Sequence, residues 1–527
     1  MVKNLDRSLL VFVLICFLVA LFGAWLMAKT TEWGPWAFSD SATYVSAARN
    51  FSRGLGFVIV NSNGSQTHVT EFPPFYSIFL SFFLGNGDDP NHSLRWVNVS
   101  LYIIFLIVFG VILYITTVSN LASLAGMLFC ATSPVLIEIF SGVMSETLFL
   151  PLLCTMLMLV LIYFRNGKLS VLILLTAFSC LLPITRYAGS LFVVVLALAI
   201  LLFSDGSFLT RLRKTLIYAS TALLPVSIWL MRLYLSFKKV GGKSLKIDLS
   251  LLQSLLQSFA AEFNVIRTWL PYYGVYAAPP IDQIIQWGFF LVFLALIISL
   301  LIRYRAKSDM RSMDLKKFLF YISIINLCAY LAFIALTHSI TIPQIDIIDR
   351  MLAPVIPFFV IIFALAIEKQ AANRKSVSLI ILVLISLAML RFNYMRTLTY
   401  ANEMQANGHG YSARQYQESG IIREIQAIPA EQRMVSNAAS FVLYYTNRFP
   451  IQIDQFANRT FGKHNGYGEK WVREKGAPLI LLYPEFRNYY GDTADQLLAT
   501  ITNGLEARYR DEVGGIYYYP SSGLIQP

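Results

Sequence analysis

The sequence predicts an all-α polytopic membrane domain followed by a small α/β domain on the extracytoplasmic side, and three observations predict it. The chain of 527 residues is 56% hydrophobic and only 14% charged, against roughly 25% charged in soluble globular proteins. Its apolar residues gather in runs close to the ~20 residues that a helix needs to span a bilayer. Those runs stop near residue 393, and beyond it short apolar stretches alternate with helical patterns. The net charge of +12 does not point to nucleic acid, because the basic residues lie in short loops between the apolar runs.

About eleven spans are expected, at 9–28, 97–117, 121–139, 144–164, 168–185, 187–204, 215–236, 284–303, 317–337, 351–368 and 376–393. The first run follows Lys3 and Arg7, is long and lacks a small-residue cleavage site, so it reads as an uncleaved span. With the N-terminus in the cytoplasm, every inside loop except Thr116–Asn120 is basic. Arg165 with Lys168, Arg211 with Arg213 and Lys214, the Arg303–Lys317 cluster, and Lys369 with Arg374 and Lys375 supply those charges. The positive-inside rule then places the chain in the cell (plasma or inner) membrane, multi-pass, with its C-terminal domain extracytoplasmic. The five cysteines all fall in apolar runs, so no disulfide framework is expected.

Three outer regions are too long for plain connections: 29–95, 237–283 and the tail 394–527. The second holds an amphipathic stretch, Leu249 to Phe259, with leucines at helical spacing. In the tail, helical patterns at 412–427, 438–447 and 493–503 alternate with Met434–Ser436, Leu479–Tyr483 and Gly515–Tyr519, as helices on a sheet would. The chain therefore divides into 1–393, the membrane domain with its outer loops 29–95 and 237–283, and 394–527, the outer domain.

No phosphate loop, HExxH or CxxC pair occurs, and the five histidines have no ligand spacing. The informative groups are ionisable residues at the outer ends of spans, where they are expensive and suggest function. Asp40 opens a helical pattern in which Tyr44, Ala47 and Ala48 share a face, and its bland reading is an N-cap. Glu146 starts the fourth span, where a first-turn acid is also ordinary. Arg186 lies between two apolar runs and needs an anion, while Arg350 starts the tenth span and has Asp346 and Asp349 nearby. A phosphate is the functional alternative, since the guanidinium fork matches it bidentately. Together the two carboxylates and two arginines occupy one membrane face, where an amphiphilic phosphate-bearing substrate would present its head group.

The stretches "SDSATYVSAARNFSRGLGF" and "EFPPFYSIFL" resemble the first outer loop of GT-C class membrane glycosyltransferases. They are most like the branch with protein O-mannosyltransferases and the lipid A aminoarabinose transferase. The matching positions are Asp40, Tyr44, Ala48, Gly54 or Gly56, Pro73-Pro74 and Tyr76, and "MSETLFLPLL", "TRYAG" and "DRMLAPVIPF" resemble later family segments. In two places the chain departs from the pattern. Glu71-Phe72 stands where relatives often have a basic residue, and Asp40 is a lone acid preceded by Ser39.

The resemblance implies transfer of a sugar from a polyprenyl-phosphate donor to a glycan, lipid or protein acceptor on the outer face. Asp40 would be the base and Glu146 would orient hydroxyls. Arg186 and Arg350, with Tyr44, Tyr76 and Tyr187, would bind substrate and lipid phosphate. No cofactor is required, and a divalent cation is compatible with the chemistry but not indicated. Membrane lipids are the other expected partners, and nucleic acid is not one. A transporter or lipid flippase would instead show repeats and broken helices with mid-membrane polar residues, and a non-catalytic receptor would leave these charged groups without a shared cavity.

Overall fold

The computed structural model describes residues 2–85, 89–238, 244–245, 251–271, 279–305, 314–371, 377–453 and 467–520. The helices before the tail are α1 (Val2–Thr30), α2 (Ser39–Ser52), α3 (Phe75–Leu80), α4 (Pro90–Thr117), α5 (Asn120–Ala131), α6 (Pro134–Phe140), α7 (Glu146–Asn166), α8 (Leu169–Thr185), α9 (Gly189–Phe203) and α10 (Phe208–Phe237). They continue with α11 (Leu251–Thr268), α12 (Pro279–Arg305), α13 (Leu315–Ile340), α14 (Asp349–Leu352), α15 (Ile356–Ala371) and α16 (Val377–Asn407). Two short antiparallel pairs lie in the loops between helices, β1 (Val58–Val60) with β2 (Gln66–His68) and β3 (Ser244–Leu245) with β4 (Thr341–Ile342).

Among the described residues helices lie at the expected spans, though α8 and α9 are shorter apolar helices and residue 376 of the last span lies outside the described residues. Among the described residues, seven helices are long and apolar enough to cross a membrane, or eight with one bent pair. The chain is a multi-pass membrane protein. The bent pair is α5 and α6, which meet at 61° where a single span was expected. Ser133 caps α6 by accepting the Leu136 N–H, and Pro134 follows at the first helical position. The proline has no N–H to continue α5, so the helix restarts in a new direction. The tenth span is likewise interrupted, by a 3-10 turn at Ala353–Val355 carrying Pro354. The amphipathic stretch expected in 237–283 is the helix α11, which packs on α13.

The tail builds α17 (Arg414–Glu418), α18 (Ile421–Gln426), β5 (Val435–Ser436), α19 (Ala439–Thr446), β6 (Ile451–Gln452), α20 (Tyr467–Lys475), β7 (Leu479–Leu482), α21 (Tyr483–Tyr490), α22 (Ala494–Thr502), β8 (Glu506–Arg510) and β9 (Gly514–Tyr518). Its strands form one sheet in the order β6-β5-β7-β9-β8. β6, β5 and β7 are parallel, and β9 runs antiparallel to β7 and β8. Of the five histidines, His464 lies outside the described residues.

A buried polar seam joins the tail to α2. Ser46 donates to Asn447 Oδ1 at 2.6 Å, Asn447 donates to Asn50 Oδ1 at 2.8 Å, and Arg49 donates to the Tyr444 carbonyl at 2.8 Å. A second tie joins Ala37 to Gly410, whose φ is +57°. A Cβ on Gly410 would stand 2.2 Å from the Ala37 carbonyl oxygen, so this approach requires glycine.

Candidate active site

The start of α2 is stitched to the loop before α7. Trp36 N–H donates to the Ser141 carbonyl and Val143 N–H to the Trp36 carbonyl, both at 2.9 Å. The Ser41 hydroxyl donates to the Val143 carbonyl at 2.7 Å and accepts the Phe38 N–H at 3.1 Å. Asp40, in the first turn of α2, and Glu146, the first residue of α7, are thereby held in one neighbourhood. Asp40 is not the N-cap, a place taken by Phe38. Both acids complement the positive end of their helix.

Arg186 occupies the corner between α8 and α9 in an extended conformation. Gly189 makes the corner tight, since a Cβ there would lie 2.4 Å from the Leu182 backbone. The anion that Arg186 needs is Glu146, whose carboxylate is 1% exposed and pairs with Nη1. The same Nη1 donates to the Ser145 hydroxyl at 3.0 Å, and Ser145 donates to Glu146 Oε2 at 3.2 Å.

Arg350, on α14, turns away from Asp346 and Asp349 and meets Asp40. Both Nη atoms donate to Asp40 Oδ2 at 3.1 Å, and Cζ lies 5.0 Å over the Phe38 ring. Its buried Nε has no hydrogen-bond partner among the described residues. Asp349 is occupied by the Trp269 indole N–H at 2.6 Å.

Tyr44 lies between the two ion pairs. It is buried, feels the charges of Glu146, Arg186 and Asp40, and its hydroxyl reaches Ser145 at 3.5 Å. Burial, reinforced by the Glu146 charge, holds its phenol well above the usual range. Tyr76 is fully buried and meets Tyr44 edge-on at 5.0 Å, so it supports Tyr44. Phe72, at the place of the missing basic residue, packs on Tyr44 at 4.7 Å. Tyr187 faces elsewhere, accepting from Trp229 Nε1 at 3.2 Å in a separate cluster with Phe57 and Val69.

Several neighbours were not singled out from sequence. Tyr330, on α13, donates to the Met351 carbonyl at 2.8 Å and feels both Arg186 and Glu146. Arg186 Nη2 also reaches Met351 Sδ at 3.5 Å. A third feature is an apolar cavity of about 470 Å³ among α11, α12, α13 and α15. Trp269 lines it while bonding Asp349, the neighbour of Arg350. Glu262 also lines it, is 2% exposed, and has an Oε1 with no hydrogen-bond partner among the described residues. Burial pushes its carboxyl up to about 8. No group of three or more His, Cys, Asp or Glu among the described residues is placed to hold a metal ion.

This arrangement of spans, long loops and C-terminal α/β domain is a GT-C-type membrane fold. The particular architecture is ArnT-like. A crystal structure of ArnT from Cupriavidus metallidurans bound to undecaprenyl phosphate superposes with a TM-score of 0.57 at 13% identity, covering 97% of each chain. The apo state of the same protein gives 0.54 at 12% identity, covering 97% of this chain and 98% of that one. No protein-family model and no curated protein sequence matches the chain.

Proposed function

We propose that the chain is an integral membrane glycosyltransferase that takes a sugar from a polyprenyl-phosphate donor and passes it to a glycan, lipid or protein acceptor. The observation that carries this reading is the Asp40–Arg350 pair, which sets a carboxylate against a guanidinium fork beside a second, buried pair. A base and a phosphate-binding cation side by side suit a displacement at an anomeric carbon.

In that reaction the acceptor hydroxyl attacks the anomeric carbon as the bond to the carrier phosphate breaks, with inversion. Asp40 takes the hydroxyl proton, an effect typically worth ~10²–10⁴-fold. Both Arg350 donors converge on its Oδ2, and among the described residues its Oδ1 accepts no hydrogen bond. Arg350 holds the departing phosphate as its charge grows. Glu146 fixes Arg186 and orients hydroxyls, and Tyr44 spans the two pairs. The apolar cavity beside Trp269 suits the polyprenyl chain, and the ArnT structure with undecaprenyl phosphate supports a carrier of that class. Residues 1–393 would do this chemistry and 394–527 would face the acceptor outside the cell membrane, with the N-terminus cytoplasmic.

The transport reading has one observation in its favour, the 61° break between α5 and α6. The break itself carries Ser133 and Pro134 and no ionisable group. Incubating purified protein with radiolabelled polyprenyl-phosphate sugars and a membrane extract separates the two. Label moving to lipid, glycan or protein in wild type but not in Asp40→Asn supports transfer. Folded wild type that consumes no carrier turns the assignment to transport.

A further inference from the structure

In the outer domain the chain leaves β5 through α19 and returns as β6 on one side of β5. It then passes through α20 and returns as β7 on the other side. All three strands are parallel. Where successive connections diverge in this way, a crevice opens at the carboxyl ends of the strands, and open α/β sheets bind ligands there. The crevice lies here between β5 and β7. Asn437, which follows β5, clasps the end of β7. Its Oδ1 accepts the Leu482 N–H at 2.9 Å and its Nδ2 donates to the Leu482 carbonyl at 3.0 Å. The two strand ends are thus fixed relative to each other.

A cleft of about 300 Å³ opens at this point, lined by Tyr411, Ser440, Gln452, Glu485, Asn488 and Tyr489. That is at the small end of ordinary ligand sites, ~300–1,000 Å³. Its lining decides the class of ligand. Among the described residues no lysine or arginine lines it, so that lining offers a phosphate no cation. Amide, hydroxyl and carboxylate groups dominate, so it is not built for a lipid tail. The side-chain amides and the hydroxyl both donate and accept and the carboxylate accepts, as the alternating hydroxyls of a sugar require. The two tyrosines add aromatic faces on which the apolar face of a sugar ring can lie. Burial raises the Glu485 carboxyl from its ordinary range.

The cleft is tied to the membrane-facing site. Tyr411 lines it, yet its N–H donates to the Ala37 carbonyl at 2.9 Å, just before Phe38 and Asp40. The Tyr411 phenol feels the charges of both Glu485 and Asp40.

We infer that this cleft is a saccharide site, which holds neutral sugar residues of the acceptor while its reactive hydroxyl is presented at Asp40. The acceptor role rests on the transferase reading, whereas saccharide binding does not.

The test uses the full-length protein in lipid nanodiscs and a panel of neutral oligosaccharides of two to six residues. Binding is read by saturation-transfer NMR, and polyprenyl-phosphate binding is measured on the same samples. Wild type and Asp40→Asn should bind a member of the panel with equal affinity. Glu485→Gln and Asn488→Ala should weaken that binding tenfold or more and leave carrier binding unchanged, which also shows that they fold. Binding of no member by wild type, or equal binding by both cleft variants, overturns the site. Glycan binding without carrier binding by wild type would instead overturn the transferase reading and leave this site standing.

Discussion

Both Nη atoms of Arg350 converge on a single oxygen of Asp40, at 3.1 Å each, across 310 positions of sequence. The pair is partly open, with side-chain exposures of 29% and 26%, so water screens it and a phosphate can compete for the guanidinium.

Asp40→Asn is therefore expected to separate chemistry from binding. Sugar transfer should fall by at least ~10²-fold, the scale of a lost general base. Carrier affinity should hold or tighten, because Arg350 is freed. Single-turnover transfer and equilibrium carrier binding, measured on one preparation, check this, and parallel losses in both would remove Asp40 from the base role.

Arg350→Lys keeps the charge but loses the fork. Carrier binding should weaken by ~10-fold or more, as a loss of ~1.4 kcal/mol implies. Arg350→Ala should weaken it further. Titration of carrier phosphate into the three proteins decides the matter, and a lysine variant that binds like wild type would show that a point charge suffices.

The Glu146–Arg186 pair is buried, and its removal should act on stability. Glu146→Gln leaves a guanidinium in a site 15% exposed. A lone buried charge of this kind costs about 3–5 kcal/mol. Arg186→Met added to Glu146→Gln should recover much of that loss. Thermal melts of the single and double variants test it, and simple additivity of the two substitutions would mean that the side chains do not act as a pair.

Glu262 gives the fold a pH dependence. The folded chain keeps this proton up to about pH 8, while an unperturbed carboxyl loses it near 4.5. Between those values the folded state binds more protons, so stability should fall as pH rises through that window and level off above it. The other charged groups lining the cavity are Arg267 and Arg396. Glu262→Gln should flatten the decline and raise the melting temperature at pH 8. Identical pH profiles for the two proteins would mean that Glu262 does not set the slope.

The spans were legible because twenty apolar residues in a row have few other destinations, and the Arg186 corner because a charge interrupts them. The strands at 435–436, 479–482 and 514–518 were legible as short apolar runs. β8 was not, since Glu506–Arg510 alternates charge as an edge strand can and reads as loop. The break at α6 left a signal, a serine followed by proline inside an apolar run, that length alone overrode. Which acid meets which arginine was beyond reach, because Asp346 and Asp349 are near Arg350 in sequence and Asp40 is near it only in space. Tyr330 was hidden in the same way, as one aromatic in an apolar helix whose polar tip finds a backbone carbonyl.

The seam between α2 and the tail has a consequence for how such chains can be recombined. One helix carries Asp40 at its first turn and, a few residues on, the Ser46, Arg49 and Asn50 groups that the tail must match. The loop between α1 and α4 and the C-terminal domain should therefore be exchanged only as a unit. A chimera that grafts a relative's tail without its 39–52 helix would strand buried donors at the graft and lose its footing beside the Asp40–Arg350 pair.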